Sequence, residues 1–187
     1  HIDVLDVGQG DSIFITGPRG QQILVDGGPD RSALSELGKR MSFFDRTLDV
    51  VILTHPHLDH LAALPDLLRR YNVRMIILTG VAYDLPQYAE MLDILRETQT
   101  PVVIADPQKD IDLGNNLTLD ILWPPPIYTS KEFEGDLNDT SVVAMLGYGE
   151  DTMLLAGDME EIEEAELMTS GEDLRESLLQ AREREAR

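Results

Sequence analysis

The sequence lacks several features on which large functional classes depend. It has no cysteine, which excludes disulfide frameworks, thiol nucleophiles and cysteine-ligated zinc. Its longest apolar runs, such as residues 50–53, fall far short of the roughly 20 residues that a membrane-spanning helix needs. Any metal site in this chain must therefore use histidine and carboxylate ligands.

Basic residues are also scarce. The chain has 15 Lys and Arg against 35 Asp and Glu, which gives a formal net charge of -20. This charge disfavours unaided binding to a phosphate backbone and argues against function through a basic patch. The acidic excess includes the last 29 residues, from Met159, where ten acidic residues stand against four basic ones.

The length and composition favour one domain. A chain of 187 residues with 42% hydrophobic residues can enclose a single core. We predict one domain over residues 1–187, with a core over 1–158 and an acidic helical tail over 159–187. Because the strand pattern begins at His1 with no leader-like segment before it, we expect a domain cut from a longer protein.

Hydrophobic periodicity predicts a mixture of strands and helices. Period-two patterns and short apolar runs predict strands over residues 2–7, 12–16, 22–26, 50–53, 75–78, 102–105, 117–122, 141–148 and 152–156. Helical spacing predicts helices over residues 33–44, 61–71 and 86–98, the first with Ser32 as its N-cap. The fold class is therefore α/β, with α+β mixed sheets.

Histidine is rare but concentrated. Three of the four histidines, His55, His57 and His60, lie within six residues, with Asp59 among them, between a predicted buried strand and an amphipathic helix. A loop at the end of a strand can turn such side chains toward one point, and imidazole with carboxylate suits zinc, manganese or iron(II). A histidine-rich surface turn is the alternative, but core-forming patterns flank this one on both sides.

The segment from His55 to His60 resembles the His-x-His-x-Asp-His motif of the metallo-β-lactamase superfamily. The order of other elements agrees, since an earlier strand ends in Asp26-Gly27-Gly28 and a later one in Gly157-Asp158. The resemblance implies an αββα sandwich and a metal-dependent hydrolase. Hydrolysis of a phosphodiester is the preferred reaction, and hydrolysis of a lactone, thioester or β-lactam stays open.

Three blocks, residues 5–12, 53–60 and 138–143, resemble the C-terminal domain of the ComEC family of competence proteins. The likeness covers residues 2 to about 179. It implies a nuclease domain that acts on DNA during uptake and has the rest of a larger membrane protein as its partner. It also implies a place on the extracytoplasmic side of a bacterial inner membrane, which the sequence itself does not reveal.

The resemblance further implies a two-metal site with one or two divalent ions, zinc or manganese. His55 and His57 would bind the first ion, Asp59 and His60 the second, and Asp158 would bridge them. Asp59 is also the predicted catalytic residue. Such a pair of ions activates a water molecule and stabilises charge on a phosphoryl oxygen.

Four more polar residues are candidates for supporting roles around the cleft. Asp26 and Asp11 either orient a ligand histidine or only shape the turns at the neighbouring glycines. Asn138 and Ser141 lie near the cleft according to the resemblance, although their sequence context by itself favours an ordinary loop with local side-chain to backbone hydrogen bonds.

The chain departs from the family pattern in having no histidine after His60, where a His-His-Gly-Ser block is expected. We therefore expect a truncated second half, substoichiometric metal and little turnover, because catalytic zinc usually has three protein ligands. An unpaired sheet edge would favour a homo-oligomer. The alternative function is an inactive or truncated module with a structural or binding role.

Overall fold

The computed structural model describes residues 1–128, 133 and 135–170. The first half of these residues forms β1 (Ile2–Val4), β2 (Ile13–Thr16), β3 (Gln22–Val25), α1 (Ser32–Arg40), β4 (Thr47–Leu48), β5 (Val50–Ile52), α2 (Leu58–Leu61), α3 (Leu64–Arg70), β6 (Asn72–Val73) and β7 (Ile76–Leu78). The second half forms α4 (Pro86–Thr98), β8 (Val102–Ile104), β9 (Asp110–Asp112), β10 (Leu117–Trp123), β11 (Val143–Tyr148), β12 (Asp151–Leu155) and α5 (Glu161–Ser170).

These strands form two main sheets. The first has the order β1-β2-β3-β5-β7-β8, in which β1 to β3 are antiparallel and β3, β5, β7 and β8 are parallel. The second has the order β12-β11-β10-β9 and is antiparallel throughout. A short parallel pair, β4 with β6, stands apart from both.

Successive residues of a strand point to opposite faces of its sheet, so the two faces of the first sheet contribute to two separate hydrophobic clusters. Leu24 and Val51 face the helices, where they join Leu37, Leu67 and Met91 in one buried cluster. Their neighbours face the second sheet in a cluster that contains Ile23, Val25, Val50, Ile52, Leu119 and Ala144. A third cluster joins Trp123 and Val143 to Leu167 of α5. The layers are therefore helix, sheet, sheet, helix, as expected from the sequence.

Several predicted boundaries are wrong. Helix α1 ends at Arg40 rather than at residue 44, and Ser32 is its first residue rather than its N-cap. The predicted helix over 61–71 is two helices, because Pro65 occupies the first turn of α3, where a proline without an N–H is tolerated. Strand β1 ends at Val4 rather than at residue 7, since the chain turns toward Gly8 and Gly10, both with positive φ.

The two halves differ in size within the described residues, with six strands in the first sheet and four in the second, where β12 is an edge strand. Of the predicted acidic tail, residues 159–170 lie in the described part and include α5, and residues 171–187 lie outside the described residues. Within the described part, no helix combines the length and the apolar character needed to cross a membrane.

Candidate metal centre

Two sheets contribute to one polar cluster. Strand β5 of the first sheet continues through Thr54 into the histidine loop, and α2 then carries His60. Asp158 follows β12 of the second sheet. The N–H of Val142 donates to the carbonyl of Thr54 at 2.8 Å, which ties the two sheets together beside the cluster.

His55, His60 and Asp158 each place one ligand atom within 4.8 Å of the others. The Nε2 atom of His60 lies 3.3 Å from Oδ2 of Asp158, and Nε2 of His55 lies 3.9 Å from the same oxygen. Both histidines are buried, whereas the Asp158 side chain is 37% exposed. Two imidazole nitrogens and a carboxylate, enclosed on one side and open on the other, are a donor set that fits a divalent ion.

The other two predicted ligands are not members of this group of three. Nδ1 of His57 lies 2.9 Å from Nε2 of His55, so His57 contacts the cluster through its neighbour. Asp59 is half-buried in the first turn of α2, next to Gly10. Gly10 has φ +108°, and a Cβ built on it would lie 2.2 Å from the Asp59 carbonyl oxygen, so only glycine fits here.

Asp26 lies at the centre of the hydrogen bonds behind the cluster. Its Oδ1 accepts from the Thr54 N–H at 2.8 Å, and its Oδ2 accepts from the Thr54 hydroxyl at 2.7 Å. The same Oδ2 lies 2.8 Å from Nδ1 of His60. Since Nδ1 of His60 is held by Asp26, its Nε2 is directed toward Asp158.

Burial and charge set the pKa values of this cluster in opposite directions. Burial, together with the nearby His60 and His57, lowers the pKa of His55 to about 3. Burial alone lowers the pKa of His60, but the hydrogen bond and charge of Asp26, with the charges of Asp158 and Asp59, outweigh it and raise the pKa to about 9. Burial raises the pKa of Asp26, against hydrogen bonds from His60 and Thr54 that lower it. His55 is therefore neutral near pH 7.

The remaining candidates lie at different depths. Ser141 is buried, and its Oγ lies 3.4 Å from Nδ1 of His55. Asn138, three residues earlier, donates from Nδ2 to Oε1 of Glu160 at 3.2 Å. Asp11 is exposed on the loop before β2, while its neighbour Ser12 donates its hydroxyl to the Asp26 carbonyl at 2.9 Å.

Sequence reasoning assigned no role to Thr54, which the structure places against both Asp26 and His55. The available signal was its position, a single polar residue between a continuous apolar strand and the first histidine. Gly157 was likewise assigned no separate role. It has φ +54°, and a Cβ on it would lie 2.9 Å from the Cβ of Thr54.

The family model described as "Metallo-beta-lactamase superfamily" matches residues 5–187. The chain therefore belongs to the metallo-β-lactamase superfamily, a superfamily of hydrolases whose fold implies binding of divalent metal.

Among proteins of known name, the chain is 27% identical over 185 residues to "ComE operon protein 3" of Bacillus subtilis. That match covers 90% of this chain and 23% of the relative, so the chain spans less than a quarter of its length. A shorter match, 29% identical over 82 residues, joins 44% of the chain to 18% of "Ribonuclease J" of Methanocaldococcus jannaschii.

Among solved structures, the chain resembles the metallo-β-lactamase fold protein YhfI of Bacillus subtilis with a TM-score of 0.55 and 19% identity. The match covers 83% of this chain and 61% of YhfI. At this identity, the likeness shows a shared fold and nothing about the reaction.

Proposed function

We propose that this domain is a metal-dependent phosphodiesterase that cleaves DNA. The observation that carries the proposal is the convergence of His55, His60 and Asp158, whose ligand atoms lie within 4.8 Å of one another at the meeting of the two sheets. Similarity to ComE operon protein 3 over 90% of the chain and the partial match to a ribonuclease support a nuclease among the hydrolases of the superfamily. The proposed context is DNA uptake, as a domain of a larger bacterial membrane protein on the extracytoplasmic side.

In this proposal, His55, His60 and Asp158 hold the metal, and His57 and Asp59 complete a site for one or two ions of zinc or manganese. A bound divalent ion would lower the pKa of a water molecule and stabilise charge that develops on the phosphoryl oxygens. Asp26 keeps His60 oriented through the 2.8 Å contact with Nδ1. Asp59 is the proposed catalytic carboxylate, in the first turn of α2 directly before His60.

A strongly acidic chain needs a local source of attraction for DNA. A groove of about 610 Å³ lies between α1 and α3 and is lined by Arg31, Lys39 and Arg70, of which Arg31 pairs with Asp66 of the same groove and Lys39 pairs with Glu36. Since α1 follows Asp26 and α3 follows the histidine loop, both helices begin at the edge that carries the candidate metal centre. In the proposal, this groove holds the phosphates of a strand whose scissile bond lies at the metal centre.

The test is a nuclease assay on labelled DNA with added Mn²⁺, comparing the unaltered chain with His57→Ala and Asp59→Ala. We expect cleavage by the unaltered chain and a loss of at least about 100-fold in both variants, because removal of a group that acts on the transition state typically costs this much. Glu150→Gln, an exposed residue of the turn before β12, is the matched control and keeps full activity.

A second candidate is a module that binds metal or a partner without turnover. The small number of clustered ligand atoms favours this second candidate, because the group that the described residues form contains three ligands, His55, His60 and Asp158. Equal residual activity in the unaltered chain and both alanine variants would reject the nuclease and leave this second candidate.

A further inference from the structure

The hydroxyl of Thr54 lies between a buried carboxylate and a buried histidine. Its Oγ1 is 2.7 Å from Oδ2 of Asp26 and 3.1 Å from Nδ1 of His55. Thr54 is fully buried, and its own N–H donates to Oδ1 of Asp26 at 2.8 Å, which fixes the residue relative to the carboxylate. Only one proton is available on this hydroxyl to serve its two neighbours.

The surrounding donors determine which neighbour receives that proton. The Asp26 carboxylate already accepts the Thr54 N–H and faces Nδ1 of His60 at 2.8 Å, as expected of an ionised, acceptor-only group. The Thr54 proton accordingly goes to Oδ2 of Asp26, and an oxygen lone pair faces His55. Nδ1 of His55 must then carry the ring proton and donate it to Thr54, which leaves on Nε2 a lone pair that faces Nδ1 of His57 at 2.9 Å and Oδ2 of Asp158 at 3.9 Å.

We propose that Thr54 is a positioning residue that extends the orienting effect of Asp26 to His55. One buried carboxylate then fixes the orientation of two histidine rings, His60 by direct contact and His55 through the threonine hydroxyl. Both rings present Nε2 toward Asp158, at 3.3 and 3.9 Å. The inference deepens the proposed metal-dependent function and rests on it for its purpose, but the tautomer of His55 itself is a property of the metal-free protein.

The experiment is nuclear magnetic resonance of the ring nitrogens in the full chain, labelled with ¹⁵N-histidine and kept free of metal. We expect the unaltered protein and Thr54→Ser to carry the His55 proton on Nδ1, because both retain the hydroxyl. Thr54→Val keeps the shape and removes the nearer acceptor, leaving the longer 3.4 Å contact of Nδ1 with Oγ of Ser141, so the proton of His55 moves wholly or partly to Nε2. Thr79→Val is the matched control, since Thr79 is buried after the neighbouring strand β7 and its Oγ1 accepts from Val81, not from a histidine.

Titration of the same proteins with Zn²⁺ gives a second readout. We expect Thr54→Val to weaken binding about 10- to 100-fold, the usual effect of removing a partner that orients a ligand. Thr54→Ser and Thr79→Val should bind within about threefold of the unaltered protein, because the hydrogen bond to His55 is intact in both.

A His55 proton found on Nε2 in the unaltered protein would overturn the inference, as would a Thr54→Val variant with unchanged tautomer and affinity. If Thr54→Val does not fold, the spectra of the unaltered protein and of Thr54→Ser still show whether Nδ1 of His55 carries the proton, and so decide for or against the inference. A chain that cleaves no DNA but shows the expected tautomer of His55 in each variant overturns the proposed nuclease and supports the role of Thr54.

Discussion

Asp158 differs from its two histidine neighbours in being partly open to solvent, with 37% of its side chain exposed. We expect Asp158→Asn to reduce the free energy of unfolding of the metal-free protein by no more than about 1 kcal/mol, because the ion pair that Asp158 forms with His60 is partly open to solvent, which screens it. Metal affinity should fall at least about 10-fold, since an amide replaces the charged ligand. Urea denaturation and Zn²⁺ titration measure the two effects.

The control for Asp158→Asn is Glu150→Gln, which removes an acidic charge from the exposed turn of the same hairpin. Glu150→Gln should leave the free energy of unfolding and the affinity for Zn²⁺ unchanged. An Asp158→Asn protein that binds metal as tightly as this control would contradict the assignment of Asp158 as a ligand.

Gly10 and Gly8 allow a second test at the residue scale. Both have positive φ, but a Cβ on Gly8 meets nothing within 4 Å, whereas one on Gly10 lies 2.2 Å from the Asp59 carbonyl oxygen. We expect Gly8→Ala to cost about 1 kcal/mol from backbone strain alone. Gly10→Ala should reduce the free energy of unfolding by about 2 kcal/mol more than Gly8→Ala does, since the backbone at Asp59 in α2 must move to admit the Cβ. If Gly8→Ala and Gly10→Ala lose the same free energy of unfolding in urea denaturation, the close approach of Gly10 to the Asp59 backbone does not contribute to stability.

Part of the candidate site can be predicted from the residue types in the sequence. His55, His60 and Asp158 are recognisable because histidine is rare in this chain and because a Gly-Asp ends a late strand. Thr54 is not recognisable in this way, because threonine is common at strand ends and its role depends on Asp26, which reaches it through the pairing of β3 with β5. A contact between neighbouring strands has no local signature in the sequence.

At the scale of elements, the early end of α1 leaves two aromatic residues outside the core. Phe43 and Phe44 are 78% and 90% exposed, whereas Leu37 of the same helix is fully buried. We expect Phe44→Ser to change the free energy of unfolding by less than about 0.5 kcal/mol and Leu37→Ala to reduce it by about 2 to 5 kcal/mol. Urea denaturation measures both, and a comparable loss in Phe44→Ser would contradict the exposed placement of that ring.

The same helix shows why element boundaries are harder to predict than element types. The apolar residues Phe43 and Phe44 continue the helical spacing of α1, so the pattern alone extends the helix past Arg40. Strands β4 and β6 were missed altogether, because each has two residues and exists only through pairing with the other. The buried parallel strands β5 and β7 were predicted, since their continuous apolar runs are typical of strands covered on both faces.

At the scale of the whole molecule, the candidate metal centre joins the two sheets, because His55 and His60 belong to the first and Asp158 to the second. A metal that binds only the folded chain stabilises it by about 2.7 kcal/mol at 100 times its Kd. We therefore expect Zn²⁺ to raise the Tm by several degrees, and to raise it at most about half as much in Asp158→Asn, because its Kd is at least about 10-fold higher. Calorimetry with and without a chelator measures this, and an equal Tm in both conditions would contradict the metal centre.

The groove between α1 and α3 gives a prediction about DNA. We expect Lys39→Glu with Arg70→Glu to weaken binding of a short duplex and to reduce the slope of log affinity against log salt by about 1 to 2, as loss of phosphate contacts requires. The control double variant, Arg96→Glu with Lys109→Glu, makes the same change of charge away from the groove. Fluorescence anisotropy without added metal measures binding, and equal effects of the two pairs would contradict the groove.

The contact of Ser141 with His55 joins residues 86 positions apart in the chain, and the Val142 hydrogen bond to Thr54 lies beside it. Contacts so distant in sequence form slowly, since a long loop must close before they contribute. His55 and His60 on the first sheet therefore meet Asp158 only when the two sheets pack against each other. A metal ion that needs all three donors binds the completed domain more tightly than a chain whose sheets are apart.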